Sequence, residues 1–312
     1  MRRRTVLGVL LGAGALSISV AAFQQPPAAQ PRVVEVDKLK DNLYVMKGGG
    51  GNSSVFITAN GVVVVDTKNP GWGQPLLDKI KSVTDKPVTM IINTHTHGDH
   101  VSGNVEFPAT IDIVAHENTK KNMEAMRPAS FVAPPPGGPP PNIFTQNNGK
   151  GMAKRTYKDK MTLGRGADQI DLYYFGRAHT NGDTFVVFPS LRVMHAADVF
   201  PNRGIPGMDL NNGGSGVEYA STLAKAADFA DKNNIDAIVN GHNNTTSTRA
   251  DIHLYAEFVR DFVKHAQDAK KAGKSVDEAA KTWKTPAKYA GYDPPVELRV
   301  KTNYQLIYNE TK

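Results

Sequence analysis

The 312-residue sequence contains no cysteine. No disulfide braces the fold, and a chain of this length does not need one even outside the cell. Any metal site must therefore be built from nitrogen and oxygen ligands. Long apolar runs are also missing. The best candidate lies inside "MRRRTVLGVLLGAGALSISVAAFQQ", and it is shorter than a bilayer span requires. Nor is there a basic run interleaved with aromatics, the usual footprint of a nucleic-acid partner.

The first residues carry a different message. Arg2, Arg3 and Arg4 precede an apolar stretch from Val6, and "SVAA" follows before Phe23. That order of basic, apolar and small residues predicts a signal peptide over residues 1–22, hence a periplasmic or secreted protein exported by the Sec or twin-arginine route. The polar, Pro-rich segment behind it reads as a linker over 23–36. The formal charge of +7 counts the three arginines, so the mature chain carries +4. Spread along the chain, that surplus is a solvated surface. The processed protein is expected to take a small-molecule substrate, with no nucleic-acid partner and no stable membrane insertion. The sequence carries no signal for an oligomeric state.

Residues 37–312 read as one α/β domain. "LYVMKGGGGNSSVFITANGVVVVDT" gives a strand, a glycine-rich loop and a hairpin turning at Asn60-Gly61. Leu76, Leu77, Ile80 and Val83 have helical spacing, and "VTMII" is the next strand. A long loop over 127–152 contains "APPPGGPPPN", which is neither helix nor central strand. It serves either as a surface insertion or as a wall over a site. "IDLYYF", "TFVVF" and "RVMHAAD" are strand-like, a helix spans 216–232, and "IDAIV" is a further strand. The region 250–312 reads as a helix over 251–271, a short helix capped by Ser275 and Glu278, and a closing strand "NYQLIYN". No repeat of solenoid period is present.

Only nine histidines occur in the chain, yet "THTHGDH" places His95, His97, Asp99 and His100 within six positions. In an extended segment, side chains two apart point the same way, so His95 and His97 can reach one ion together. Gly98 permits a turn that aims Asp99 and His100 at a neighbouring point. His179, Asp198 and His242 lie at or just beyond strand ends and are the candidates to complete the ligand set. His116, His195, His253 and His265 are better explained by capping, packing or exposure.

The motifs "THTHGDH", "GRAHTNGD", "MHAADVF" and "IVNGH" occur in this order between about residues 40 and 245. Together they resemble the metallo-β-lactamase superfamily. The resemblance implies an αββα sandwich of two mixed β-sheets flanked by helices, with two zinc ions in a cleft. It implies that His95, His97 and His179 hold the first ion, that Asp99, His100 and His242 hold the second, and that Asp198 bridges them. Asp66, ending "VVVVD", resembles the family's acid that orients a ligand histidine. Nitrogen and carboxylate ligands suit zinc, with iron and manganese as chemical alternatives.

Departures narrow the branch. The best-known zinc β-lactamases carry cysteine where Asp198 stands. Asp198 is closer to glyoxalase II, lactonases and related hydrolases, although glyoxalase II's helical glutathione-binding motifs are absent. The expected function is an exported dinuclear zinc hydrolase that attacks a lactone, ester, thioester or β-lactam with metal-bound hydroxide. Asp99 is the candidate catalytic carboxylate near the leaving group. An iron-dependent oxygenase on the same fold and a metal-binding protein without turnover are the alternatives.

Overall fold

The computed structural model describes residues 32–312. The expected signal peptide and most of the expected linker lie outside the described residues. Chain order runs β1 (Glu35–Lys40), β2 (Leu43–Lys47), β3 (Ser53–Thr58), β4 (Gly61–Val65), α1 (Gly73–Lys81) and β5 (Val88–Asn93). Next come α2 (Gly98–Val101), β6 (Asp112–His116), α3 (Glu117–Ala125), α4 (Ile143–Gln146), β7 (Arg155–Tyr157) and β8 (Lys160–Leu163). The second half holds β9 (Ile170–Tyr173), β10 (Phe185–Phe188), β11 (Val193–Ala197), α5 (Gly216–Lys232) and β12 (Ala237–Asn240). Helices α6 (Arg249–Lys271), α7 (Val276–Thr282) and α8 (Glu297–Glu310) follow.

Strands β1 to β7 form one sheet in sequence order, antiparallel through β4 and parallel from β4 onward. The second sheet has the order β12-β11-β10-β9-β8, with only β11 and β12 parallel. Both sheets are mixed, and the layers follow from side-chain alternation. In β4, Val63 and Val65 enter the core between the sheets, while Val62 and Val64 pack toward α1 on the outer side. In β10, Val186 and Phe188 face the inter-sheet core, and Phe185 and Val187 face the cluster built with α5, α6 and α8. Continuous apolar strands such as "GVVVV" are thus strands covered on both faces. The expected αββα sandwich is the observed fold. No helix among the described residues is long and apolar enough to cross a membrane.

Several boundaries differ from the sequence reading. The two-residue hairpin loop is Ala59-Asn60, and Gly61 already pairs with Thr58 at the start of β4. Strand β1 begins at Glu35, inside the segment read as linker. The 127–152 segment contains a short helix, α4, capped by the Asn142 side chain. The closing strand is incorrect: "NYQLIYN" lies within α8. Tyr and Ile favour strands locally, but Val300, Asn303, Tyr304 and Ile307 are buried at helical spacing, which begins upstream of that window. Packing against α5 and α6 overrides local preference there.

Candidate metal centre

All seven sequence-identified candidates gather at one end of the sandwich. His95, His97, Asp99 and His100 follow β5, with His97 at the extended N-cap of α2. His179 precedes β10, Asp198 follows β11, and His242 follows β12. The aim of Asp198 has a local cause. The β11–β12 register shifts between His195 and Ala197, and Ala197 takes φ 44°. This irregularity turns the next side chain into the cleft. Gly241 makes room for it, because a Cβ there would run into Asp198 Oδ1.

Ligand atoms of His95, His97, His179 and Asp198 lie within 4.8 Å of one another. Those of Asp99, His100 and His242 form a neighbouring group by the same measure. Asp198 reaches both groups, with Oδ2 3.6 Å from His179 Nε2 and Oδ1 3.3 Å from His100 Nε2. Asp99 Oδ2 lies 3.4 Å from His242 Nε2, and these two side chains are the most exposed of the set, at 32% and 36%.

Hydrogen bonds fix the ring tautomers. His100 Nδ1 donates to Asp66 Oδ2 at 2.7 Å. Thr94 donates its hydroxyl to the same oxygen, so its own oxygen accepts from His95 Nδ1 at 3.0 Å. His179 Nδ1 donates to the Gly207 carbonyl at 2.7 Å, and His97 Nε2 donates to Asp209 Oδ2 at 2.7 Å. In its neutral form each of these four rings commits one nitrogen outward and turns the other, with its lone pair, inward.

The inward atoms are poorly matched to one another. With the rings in those tautomers, His97 Nδ1 and His179 Nε2 face each other at 2.8 Å as two acceptors. His95 Nε2 and Asp198 Oδ1 are buried without a partner. A cation ligated by these atoms would remove the repulsion and satisfy the orphans, so the donor set fits a metal of borderline or hard character.

Electrostatics divide the rings into two classes. Burial, reinforced by His100 and His179, pushes His95 well below the ordinary histidine range. Burial and His97 bring His179 down to about 4. His100 behaves oppositely: burial works against its charged form, yet Asp198, Asp99 and Asp66 outweigh it and raise its pKa. The carboxylate of Asp198 raises that of His242.

Two supporting groups escaped the sequence reading. Asp209 is fully buried; burial opposes its charge, but the His97 hydrogen bond holds its pKa down to about 2. Its other oxygen, Oδ1, accepts from the Ser130 backbone at 2.9 Å. Lys68 is also fully buried, and its ammonium donates to the Met46 and Gly51 carbonyls at 2.6 Å, bracing the glycine-rich loop. Burial lowers its pKa to about 7, against the pull of Asp66 and Asp99. Asp209 stands in "GMDLNN", where no spacing marks it, and only the folded chain brings it to His97.

The cleft over these residues has a volume of about 550 Å³. Ala129, Phe131 and Val132 form an apolar wall, while residues 133–141 are exposed beyond it. The wall therefore comes from the flank of the proline run. The four remaining histidines stay apart from the cluster. His116 caps α3, His195 meets Ser54 Oγ at 2.8 Å between the sheets, His253 pairs with Asp231, and His265 bonds Tyr304.

Comparison with known proteins adds the family. A model described as "Metallo-beta-lactamase superfamily" matches residues 46–242. The chain is 25% identical over 245 residues to metallo-beta-lactamase type 2 of Elizabethkingia meningoseptica, covering 72% of this chain and 86% of that protein. It is 30% identical over 142 residues to 2,4-dinitroanisole O-demethylase subunit alpha of Nocardioides sp. (strain JS1661), covering 44% of this chain and 38% of that one. The solved structure of a metallo-beta-lactamase from Pontibacter korlensis superposes with a TM-score of 0.58 at 17% identity, covering 73% of this chain and 99% of that chain.

Proposed function

The chain belongs to the metallo-β-lactamase superfamily, and on that premise we propose that it is an exported two-zinc hydrolase of activated acyl compounds: lactones, esters, thioesters or β-lactams. One observation carries the reading. Four buried histidines each fix one ring nitrogen outward and present the other to a shared space that also holds Asp198. In this reading His95, His97 and His179 hold one ion, Asp99, His100 and His242 hold the other, and Asp198 serves both. When bound, such ions lower the pKa of water toward neutrality and act as Lewis acids on a carbonyl oxygen.

The protein's own groups do the rest. Asp66 and Asp209 hold His100 and His97 in the orientation that directs their lone pairs inward. In this reading Asp99, a third exposed beside His242, would take a proton from the attacking water and pass it to the departing group. Phe131 and Val132 offer apolar surface to a substrate body. Among the described residues, the cleft wall carries no cluster of lysines and arginines of the kind a phosphodiester chain requires.

Elemental analysis and a substrate panel test the proposal together. Purified protein should hold two zinc ions per chain and hydrolyse at least one lactone, activated ester, thioester or cephalosporin. Chelation and His97→Ala should each abolish turnover, and added zinc should restore the chelated wild type. Iron with oxygen consumption, or metal without turnover on the whole panel, would overturn it. Sequencing the exported protein's N-terminus should give Phe23.

A further inference from the structure

Arg299 stands on α8, beyond the stretch matched by the family model, and its side chain reaches the cleft wall. Among the described residues it is the only lysine or arginine lining that cleft. Its guanidinium carbon lies 5.5 Å from the Phe131 ring centroid, and Nη1 donates to the Ile205 carbonyl at 3.3 Å. Nε is buried without a partner. No carboxylate among the described residues forms an ion pair with it.

Its position is tied to that of the ligands. One turn along α8, Asn303 accepts from the Met208 backbone at 3.2 Å and donates to the Pro206 carbonyl at 2.8 Å. The same segment supplies the Gly207 carbonyl that orients His179. Arg299 is therefore held in register with the ligand cluster through a short, doubly bonded strap.

Charge balance leaves it available. Asp66, Asp99, Asp198 and Asp209 would match two divalent cations. Lys68 is sealed beneath the glycine-rich loop. Arg299 remains as a cation at the cleft surface with an aromatic face against it and no counter-ion. A guanidinium in that setting selects a planar oxyanion, which it can bind through two parallel hydrogen bonds.

We propose that Arg299 is a specificity-determining residue that binds a carboxylate carried by the acyl substrate, while Phe131 and Val132 pack the substrate's apolar body. This rests on the hydrolase reading and narrows it to acyl compounds bearing a carboxylate apart from the scissile bond.

The test uses two esters of matched shape, 4-nitrophenyl hydrogen succinate and 4-nitrophenyl butyrate, with the zinc-loaded protein. The wild type should prefer the succinate ester in kcat/KM. Arg299→Gln should lower that preference about 10- to 100-fold, chiefly through KM, the scale of a lost charge-assisted contact. Arg299→Lys should retain part of it. An unchanged preference in Arg299→Gln overturns the assignment. If neither ester is cleaved, the hydrolase reading has failed by itself, and calorimetry decides the role of Arg299. Arg299→Gln should then weaken binding of 4-phenylbutyrate at least about 10-fold more than binding of the neutral 4-phenylbutyramide. Equal weakening of the two ligands, or none, rejects the proposal.

Discussion

The two halves of the sandwich supply the candidate ligands in contrasting ways. The first half delivers His95, His97, Asp99 and His100 from one continuous turn after β5. The second delivers His179 from the loop between β9 and β10, and Asp198 and His242 from just beyond the ends of β11 and β12. In the first half, local chain geometry does most of the placing. In the second, His179 depends on the Gly207 carbonyl, Asp198 on the β11 irregularity and the clearance at Gly241, and His242 on its backbone N–H donating to the Pro201 carbonyl at 2.9 Å. The second set is therefore the more sensitive to changes at residues that never touch metal or substrate.

Asp198 gives the sharpest test of that contrast. Asp198→Ala should deplete bound metal and reduce hydrolysis by about three orders of magnitude, the scale of several kcal/mol of lost charge stabilisation. His195→Ala, three positions away on β11, should keep two metals per chain. Comparable metal loss in the two variants would remove the distinction between ligand and strand packing.

Glycine substitutions probe the same difference. Gly241→Ala drives a methyl group into Asp198 and should lower metal content measurably by elemental analysis. Gly98→Ala should be tolerated, although Gly98 sits inside the most conspicuous motif. It opens α2 with ordinary backbone angles, and a Cβ there meets nothing closer than Ser102 Oγ at 3.2 Å. The turn expected to need Gly98's freedom is made by His97 as an extended N-cap.

Asp66 and Asp209 each hold one histidine of the first set, His100 and His97 respectively. Asp66→Asn and Asp209→Asn should each weaken zinc affinity about 10- to 100-fold in a chelator competition. Only Asp209→Asn should also shift relative rates across the substrate panel, because of the two carboxylates only Asp209 bonds the cleft wall at Ser130. Equal panel profiles for the two variants would separate the wall from the ligand sphere.

A smaller effect follows from His195 and acts on stability. Burial holds its pKa at about 4, against an ordinary 6.5. A base depressed in the folded state stabilises fully above the unfolded pKa and loses that contribution as pH falls from about 6.5 toward 4. The full depression is worth on the order of 3 kcal/mol. Denaturant titrations from pH 7 to 4.5 should therefore show a steeper decline for the wild type than for His195→Ala. Smallest of all, deleting part of the exposed run 133–141 should alter substrate preference less than Phe131→Ala, with metal content unchanged in both.

Legibility in the sequence followed the same division. The "THTHGDH" cluster is local, so composition and spacing alone exposed it. Asp198 and His242 were legible because each stands just beyond a plainly apolar strand, and His179 because four motifs in order resemble one family. The fold class followed from the same strands. Asp209, Lys68 and Arg299 left no trace, since neither spacing nor neighbours mark them and their environment is created by chain segments far away. The short strands β7 and β8, in "KRTYKDKMTL", were hidden by charged residues on their exposed positions. The terminal helix reads locally as a strand because its buried stripe starts at Val300, ahead of the apolar window "NYQLIYN".

Asp209 places two selective pressures on one carboxylate. One oxygen steadies His97 and the other anchors the chain at Ser130, at the base of the apolar wall. A lineage acquiring a new substrate could not move that wall's backbone without also disturbing metal retention. Adaptive change should then concentrate in the side chains of Phe131 and Val132, which face the cleft without bearing on the anchor. Insertions and deletions should be filtered out near Ser130 and accepted a few residues later, in the exposed proline run.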